Sequence, residues 1–345
     1  MIGVGRQGMA KKSSDIRMVA RLAGVSVATV SRAFSDASKL APTTLERVRA
    51  AAAQLNYKPN ALAQALRSNR TYAILVIVPD IANSFYSRVL DGIEEAAKQS
   101  GFSPLLANSA DDPEFERNCI EMVRARRVDG IIQLGARSIE DLLQRESGAD
   151  VPFVHAVERT DRSHAPSVGI DNVEAARLMT QHIISLGHRH IGVIGGSANS
   201  DITIHRLNGY KAALSEAGIR FDPDLVEYGE YSATSGMESL RSLFARTSAI
   251  SAIFCLSDEI AFGVMSAARE LGIILPQDLS IAGFDNVEFG QFTVPPLTTV
   301  KQPSRRMGAC AMELMLELLN SPGLPARTVI MDAELVIRDS VLARD

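Results

Sequence analysis

Apolar positions along this chain keep two rhythms, and the change from one to the other divides it. From Ser14 to Asn69 the spacing is helical and predicts four short helices. Ile16, Val19, Ala20 and Ala23 share one face of the first, which Ser14 or Asp15 can cap and Gly24 ends. After a tight Gly24-Val25 turn, Ser26 can cap a second through about Ser35, with Val27, Val30, Ser31 and Phe34 on related faces. Pro42-Thr43-Thr44 opens a third over Leu45, Val48, Ala52 and Leu55. Tyr57-Lys58-Pro59 is expected to stop it, because the residue before proline is pushed out of the α region. Asn60 caps a last stretch, Ala61 to Ser68, too short and too weakly amphipathic to be stable alone.

From Tyr72 onward, apolar runs of strand length alternate with helical periods, which predicts parallel sheets in an α/β architecture. This part carries an internal repeat without gaps. Moving 117 positions on from Ile74, Val76, Ile77, Gly92, Ala96 and Gly101 reaches Ile191, Val193, Ile194, Gly209, Ala213 and Gly218. Each copy reads strand, loop, helix and further strand, so two similar lobes follow. Strands at Asp129 to Gly135, Pro152 to His155 and Ser167 to Ile170 extend the first lobe. Those at Ala252 to Leu256 and Leu279 to Phe284 extend the second. A cleft between such lobes, at the carboxyl ends of the strands, is where open α/β sheets bind small molecules.

Charge sharpens the division. The first seventy residues hold 12 Lys and Arg against 3 Asp and Glu, net +9, whereas the rest hold 24 against 37, net −13. A local basic cluster is what counterion release from a phosphate backbone requires, and the overall −4 hides it. Within that cluster, Ser26, Thr29 and Ser31 put short hydroxyls at a helix N-terminus, where phosphate is favoured. Val27 and Ala28 are small enough to touch thymine methyls, and Arg32 one turn later can fork onto a guanine. The alternative is a helical hairpin that packs on a protein.

Composition is ordinary for globular domains, with 46% hydrophobic and 22% charged residues. No apolar run has the roughly 18 residues of a membrane helix, and Met1 to Ser14 lacks a secretory signal's apolar stretch, so a cytoplasmic location without membrane contact is expected. Cys119, Cys255 and Cys310 are widely spaced in apolar or helical contexts, which argues for buried thiols over disulfides or zinc. Gly3-Val4-Gly5-Arg6-Gln7-Gly8 fits G-x-G-x-x-G, yet no strand precedes it, and residues 1–14 read as a disordered tail. His188-Arg189-His190 reads as a surface turn, not a metal pair, because no third ligand is near in sequence. No catalytic motif, metal site or cofactor site is expected, and neither an enzyme nor a transport-type sugar-binding protein fits the basic head.

Val19-Ala20, Ala23-Gly24-Val25-Ser26, Thr29-Val30-Ser31-Arg32, Tyr57-x-Pro59-Asn60, Gly283-Phe284-Asp285-Asn286 and Pro296-Leu297-Thr298-Thr299-Val300-x-Gln302-Pro303 resemble the LacI/GalR family of transcriptional regulators from about residue 14 onward. The resemblance implies an all-α helix-turn-helix head at 15–59, a hinge helix and linker at 60–70, and an α/β bilobed core like periplasmic sugar-binding proteins at 71–345. Lobe 1 would hold about 72–171 and 302–331, and lobe 2 about 172–301 and 332–345. A homodimer on a near-palindromic operator is implied, without a leucine-heptad tail after the last strand near Val336. Thr44, Tyr57, Asn60 and Ala63 join the DNA-facing set, with Asn60 capping the hinge and Leu66 similar to the family's minor-groove wedge. Met18 stands where the family usually has Asp, and Ser35 where it often has Asn.

Ile74 to Ile81, Gly169-Ile170-Asp171-Asn172, His205-Arg206-Leu207-x-Gly209-Tyr210 and Met331-Asp332-x-Glu334-Leu335 resemble the cytidine-repressor branch. The effector implied is a nucleoside, with a sugar as the alternative. Arg206 and Asp285 would grip vicinal hydroxyls, Phe85 and Tyr86 would offer a face to a ring or else pack in the core, and Tyr231 joins the cleft. Ser200 stands where purine-sensing relatives carry a second Arg, which disfavours a purine.

Overall fold

The computed structural model describes residues 15–35, 39–57, 70–109, 112–135, 139, 151–157, 165–247, 249–323 and 325–344. The chain forms two units, Met1–Thr71 and Tyr72–Asp345. The tail at 1–14, with its glycine motif, and the hinge stretch with Asn60, Ala63 and Leu66 lie outside the described residues.

In the first unit, helices α1 (Ile16–Ala23), α2 (Val27–Ser35) and α3 (Pro42–Gln54) enclose a core of small side chains. Val19, Ala20 and Ala23 meet Val30, Ala33, Val48, Ala51 and Ala52, and their size lets the helices approach closely. Asp15 caps α1 by accepting from the Arg17 amide. Gly24, at φ 64°, ends that helix, and Arg47 on α3 donates to the free carbonyl of Ala23 at 2.5 Å. Ser26 Oγ accepts from the Thr29 amide at 3.1 Å and starts α2. The stop of α3 differs from expectation. Asn56 adopts φ 48° and the Tyr57 amide donates to the Ala52 carbonyl at 2.8 Å, so a left-handed turn ends the helix before Pro59 can act.

The second unit holds two parallel sheets. The first has the order β11-β5-β4-β3-β1-β2, from β1 (Ala73–Val78), β2 (Ser103–Asn108), β3 (Gly130–Leu134), β4 (Phe153–Val157), β5 (Ser167–Ile170) and β11 (Thr328–Met331). The second has the order β7-β6-β8-β9, from β6 (Ile191–Gly195), β7 (Val226–Tyr228), β8 (Ala252–Cys255) and β9 (Ser280–Ala282). Strands β10 (Thr299–Lys301) and β12 (Glu334–Val336) form an antiparallel pair. The predicted strand at Leu279 to Phe284 is therefore shorter, because Gly283 opens a loop that matters below.

Helices α4 (Ser84–Gln99), α5 (Pro113–Arg124), α6 (Asn172–Ser185), α7 (Asp201–Glu216), α8 (Ala233–Arg246), α9 (Asp258–Glu270) and α10 (Ser304–Asn320) complete the unit. The repeat is visible in its glycines. A Cβ on Gly92 of α4 would lie 1.9 Å from the Arg305 carbonyl oxygen of α10, and one on Gly209 of α7 would lie 2.1 Å from the Val173 carbonyl oxygen of α6. Both helices thus cross a neighbour at backbone contact. Gly101 and Gly218 end these helices at φ 76° and 68°. In each sheet the first strand of the repeat, β1 or β6, lies between the next two strands, and such a reversal opens a crevice at the carboxyl ends. Cys119, Cys255 and Cys310 are free and buried, as their apolar contexts implied. His188 corrects the sequence reading. It is 2% exposed, its Nε2 donates to the Leu342 carbonyl and its Nδ1 meets the Ser251 hydroxyl, each at 2.9 Å, so it ties the C-terminal segment into the second sheet.

Candidate functional site

Helix α2 presents the predicted DNA-reading residues unevenly. Ser26, Val27, Ala28 and Arg32 are exposed, whereas Thr29 and Ser31 are half-buried. The Ser26 and Thr29 hydroxyls lie 2.9 Å apart, so the cap residue also orders its neighbour. Thr44 sits half-buried in the first turn of α3. Tyr57 is turned against Phe34, with ring centroids 5.9 Å apart, and so braces the helical core.

In the second unit, a cavity of about 850 Å³ opens where strand ends converge. Asp80 follows β1, Asn108 ends β2, Ser197 follows β6, Glu230 follows β7, Ser257 follows β8 and Asp285 follows β9, and all six line it. Arg206, on the second turn of α7, is 3% exposed, and its guanidinium lies 3.5 Å from the Phe284 ring centroid. Its Nε donates to Asn172 Oδ1 at 2.9 Å and its Nη1 to the Leu256 carbonyl at 2.5 Å, and Nη1 stands 3.7 Å from Asp285 Oδ1. A cation held on three sides thus faces a buried carboxylate.

The Asp285 backbone has φ 113°, a region that side-chain-bearing residues rarely adopt, at a cost of about 1 to 3 kcal/mol. Neighbouring hydrogen bonds hold it there. Gly283 and Asp285 donate backbone N–H to Thr298 and Val300 carbonyls at 2.8 Å, and the Val287 amide donates to Asp258 Oδ2 at 2.8 Å. Asp258 is fully buried and also accepts from the Thr299 hydroxyl at 2.6 Å. Burial, then the nearby Asp285 charge, drive its carboxyl well above the usual range. Burial likewise pushes Asp285 up to about 6, against the pull of Arg206 and of the Gln302 amide that donates to it at 2.7 Å.

Residues 15–60 match the bacterial regulatory proteins, lacI family, and residues 180–341 match the periplasmic binding protein-like domain. The HTH-type transcriptional repressor CytR of Escherichia coli (strain K12) is 35% identical over 331 residues, covering 96% of this chain and 97% of that protein. This chain belongs to the LacI family. The HTH-type transcriptional repressor PurR of Vibrio atlanticus (strain LGP32) is also 35% identical, over 95% of this LacI-family chain and 98% of its own. A crystal structure of the lac repressor dimer bound to operator and the anti-inducer ONPF superposes with a TM-score of 0.85 at 29% identity, covering 96% of the chain and 100% of its counterpart. The protein is accordingly a ligand-responsive DNA-binding regulator with a helix-turn-helix head and a bilobed periplasmic-binding-like core.

The cavity of this LacI-family protein brings together all five residues named for it, Phe85, Tyr86, Arg206, Tyr231 and Asp285. Phe85 is 6% exposed and packs in the main core while also lining the cavity. Its ring meets Tyr86 edge-on at 5.4 Å. Tyr231 is fixed by a 2.8 Å hydrogen bond between its hydroxyl and that of Thr203, and by seating on Gly196, where a Cβ would lie 2.3 Å from the ring. Sequence reasoning missed Asn172 and Gln302, which hold the charged pair, and Asp258, which holds the loop. Asn172 and Gln302 stood inside quoted motifs but carried no charge or period to mark them. Among the described residues no helix is long and apolar enough to cross a membrane, and no group of three His, Cys, Asp or Glu side chains could hold a metal.

Proposed function

We propose that this protein is a repressor without catalytic activity that binds a near-palindromic operator as a homodimer through Ser26, Val27, Ala28, Thr29, Ser31 and Arg32, and that a nucleoside in the cavity governs its affinity for DNA. In this reading 15–59 is the head, 60–70 the hinge with Leu66 as wedge, and 71–345 the two-lobed sensor. The repressor assignment follows the similarity to CytR and PurR. The observation that carries the nucleoside is the buried Arg206–Asp285 pair, 3.7 Å apart, in a cavity that Phe85 and Tyr86 also line. A carboxylate that accepts and a guanidinium that donates suit vicinal ribose hydroxyls, and an aromatic edge or face suits a base. The volume falls within the range of small-molecule sites.

Calorimetry with cytidine, adenosine, ribose and galactose tests the reading. Cytidine is expected to bind and the hexose not to. Asp285→Ala leaves Arg206 buried without its counter-charge and should lose on the order of 2 to 4 kcal/mol of ligand affinity while operator binding without ligand persists. Preferential binding of galactose would replace the nucleoside by a sugar. Normal ligand binding by Asp285→Ala would remove the cavity from consideration as the effector site.

A further inference from the structure

Both members of the buried Arg206–Asp285 pair belong to the second half of the core, yet each is fastened by an amide to a segment where the chain passes between the halves. Asn172 is the first residue of α6, immediately past β5 of the first sheet, and its Oδ1 accepts from Arg206 Nε at 2.9 Å. Gln302 stands between β10 and α10, and α10 returns to the first half, where a Cβ on Gly308 would lie 1.9 Å from the Val89 carbonyl oxygen of α4. Its Nε2 donates to Asp285 Oδ1 at 2.7 Å. Both amides are buried, at 7% and 4% exposure.

Gln302 is the more telling of the two. Its Oε1 is buried with no hydrogen-bond partner among the described residues. Turning the amide over would set that oxygen against the Asp285 carboxylate, so the donor must face the acid and the acceptor is left unsatisfied. A buried unpaired acceptor opposes folding. A leucine of similar size would remove that opposition, so the glutamine is better explained by its bond to Asp285 than by the stability of the crossing.

Resting on the reading of the cavity as the effector site, we infer that Asn172 and Gln302 are positioning residues that carry the state of the Arg206–Asp285 pair into two chain crossings. A ligand hydroxyl that donates to Asp285 Oδ1 competes with Gln302 Nε2 for the same lone pairs, and a ligand acceptor facing Arg206 competes with Asn172 Oδ1. Either exchange changes what holds a crossing, and therefore how the halves are set. Coupling of this kind requires only that the ligand distinguish the two settings.

The first test needs no ligand. In the full-length protein labelled at Asp carboxyl carbons, with Asp285→Asn identifying the resonance, Asp285 should titrate with a midpoint near 6. Arg206 faces that carboxylate from α7, Glu259 and buried Asp258 face it from α9, and Arg338 acts on Asp258, and the Gln302 variant leaves all four residues in place. Gln302→Leu removes a donor to the charged form and should raise the midpoint, with the thermal midpoint below pH 5, where Asp285 is protonated, unchanged or higher. A merely structural glutamine would do the reverse, lowering the thermal midpoint and leaving the titration in place, and that result would overturn the inference. The second test places spin labels at introduced cysteines replacing exposed Lys98 and Arg220, one in each half. Gln302→Leu and Asn172→Leu should broaden or shift the distance distribution, and Asn172→Asp, which keeps the acceptor for Arg206, should restore it. An unchanged distribution in both leucine variants would overturn the coupling. With cytidine as probe, failure of the wild type to bind would overturn the nucleoside reading and leave these ligand-free results standing.

Discussion

Replacing Asp285 by Asn separates two opposite effects of pH that the cavity builds into one side chain. Its carboxyl ionises near 3.8 when unfolded and about 6 when folded, because burial outweighs the attraction of Arg206 and the Gln302 bond. At about 1.36 kcal/mol per pH unit, that difference is worth about 3 kcal/mol. The folded pKa is the higher, so the native state holds a proton that the unfolded state has released between these values. This contribution to stability is fully present below 3.8 and is lost as pH rises through 6. Between pH 4.5 and 7.5 the unfolding free energy of wild type, relative to Asp285→Asn, should fall by about 2 kcal/mol. Arg206 is left without its counter-charge in the variant at every pH, so that penalty offsets the curve without bending it. Ligand affinity should run the other way, rising with pH toward 6 and flat above, because donated hydroxyls favour the ionised form. The chain has no Trp, so urea unfolding followed by circular dichroism at a series of pH values is the assay. A difference that stays flat from pH 4.5 to 7.5 would refute a buried, ionisable Asp285.

Three further outcomes are expected. Arg32→Ala should weaken specific operator binding by about 1 to 3 kcal/mol, with little effect on random DNA, in fluorescence anisotropy; equal loss on both would make Arg32 a phosphate contact. Leu66→Ala should abolish operator bending, read by energy transfer across the site, without altering ligand affinity; a retained bend would remove Leu66 as the wedge. Gly209→Ala puts a methyl 2.1 Å from the Val173 carbonyl oxygen, so α6 and α7 must part, at about 1 to 3 kcal/mol of stability. An unchanged thermal midpoint would contradict that packing.

Much of the architecture was legible because its signals are local or periodic. The 117-residue repeat announced two sheets, and the capping hydroxyl of Ser26 and the turn at Gly24 marked the head. The cleft acids and bases were legible in part, since Asp285 follows an apolar strand and the family resemblance marked Arg206. What failed to show depends on distant partners. His188 reads as a surface turn from its neighbours, and only Ser251 and Leu342, far along the chain, bury it. Asn172 and Gln302 matter through Arg206 and Asp285, each some distance away in sequence. The early stop of α3 rests on a left-handed Asn56, which Pro59 overshadowed.

The glycine crossings have a mechanical consequence. Gly92 and Gly308 press α4 and α10 backbone to backbone, Gly209 does the same for α7 on α6, and Gly236 and Gly263 bring α8 against α9, with virtual Cβ atoms 1.9 to 2.2 Å from carbonyl oxygens. At such a crossing point there is no long side chain that could slide or change rotamer to absorb displacement. At these crossings a displacement is passed from backbone to backbone and is not absorbed by side-chain rearrangement. Such crossings make each helix pair move as one body, so a change in how the halves are set falls on the segments that connect them.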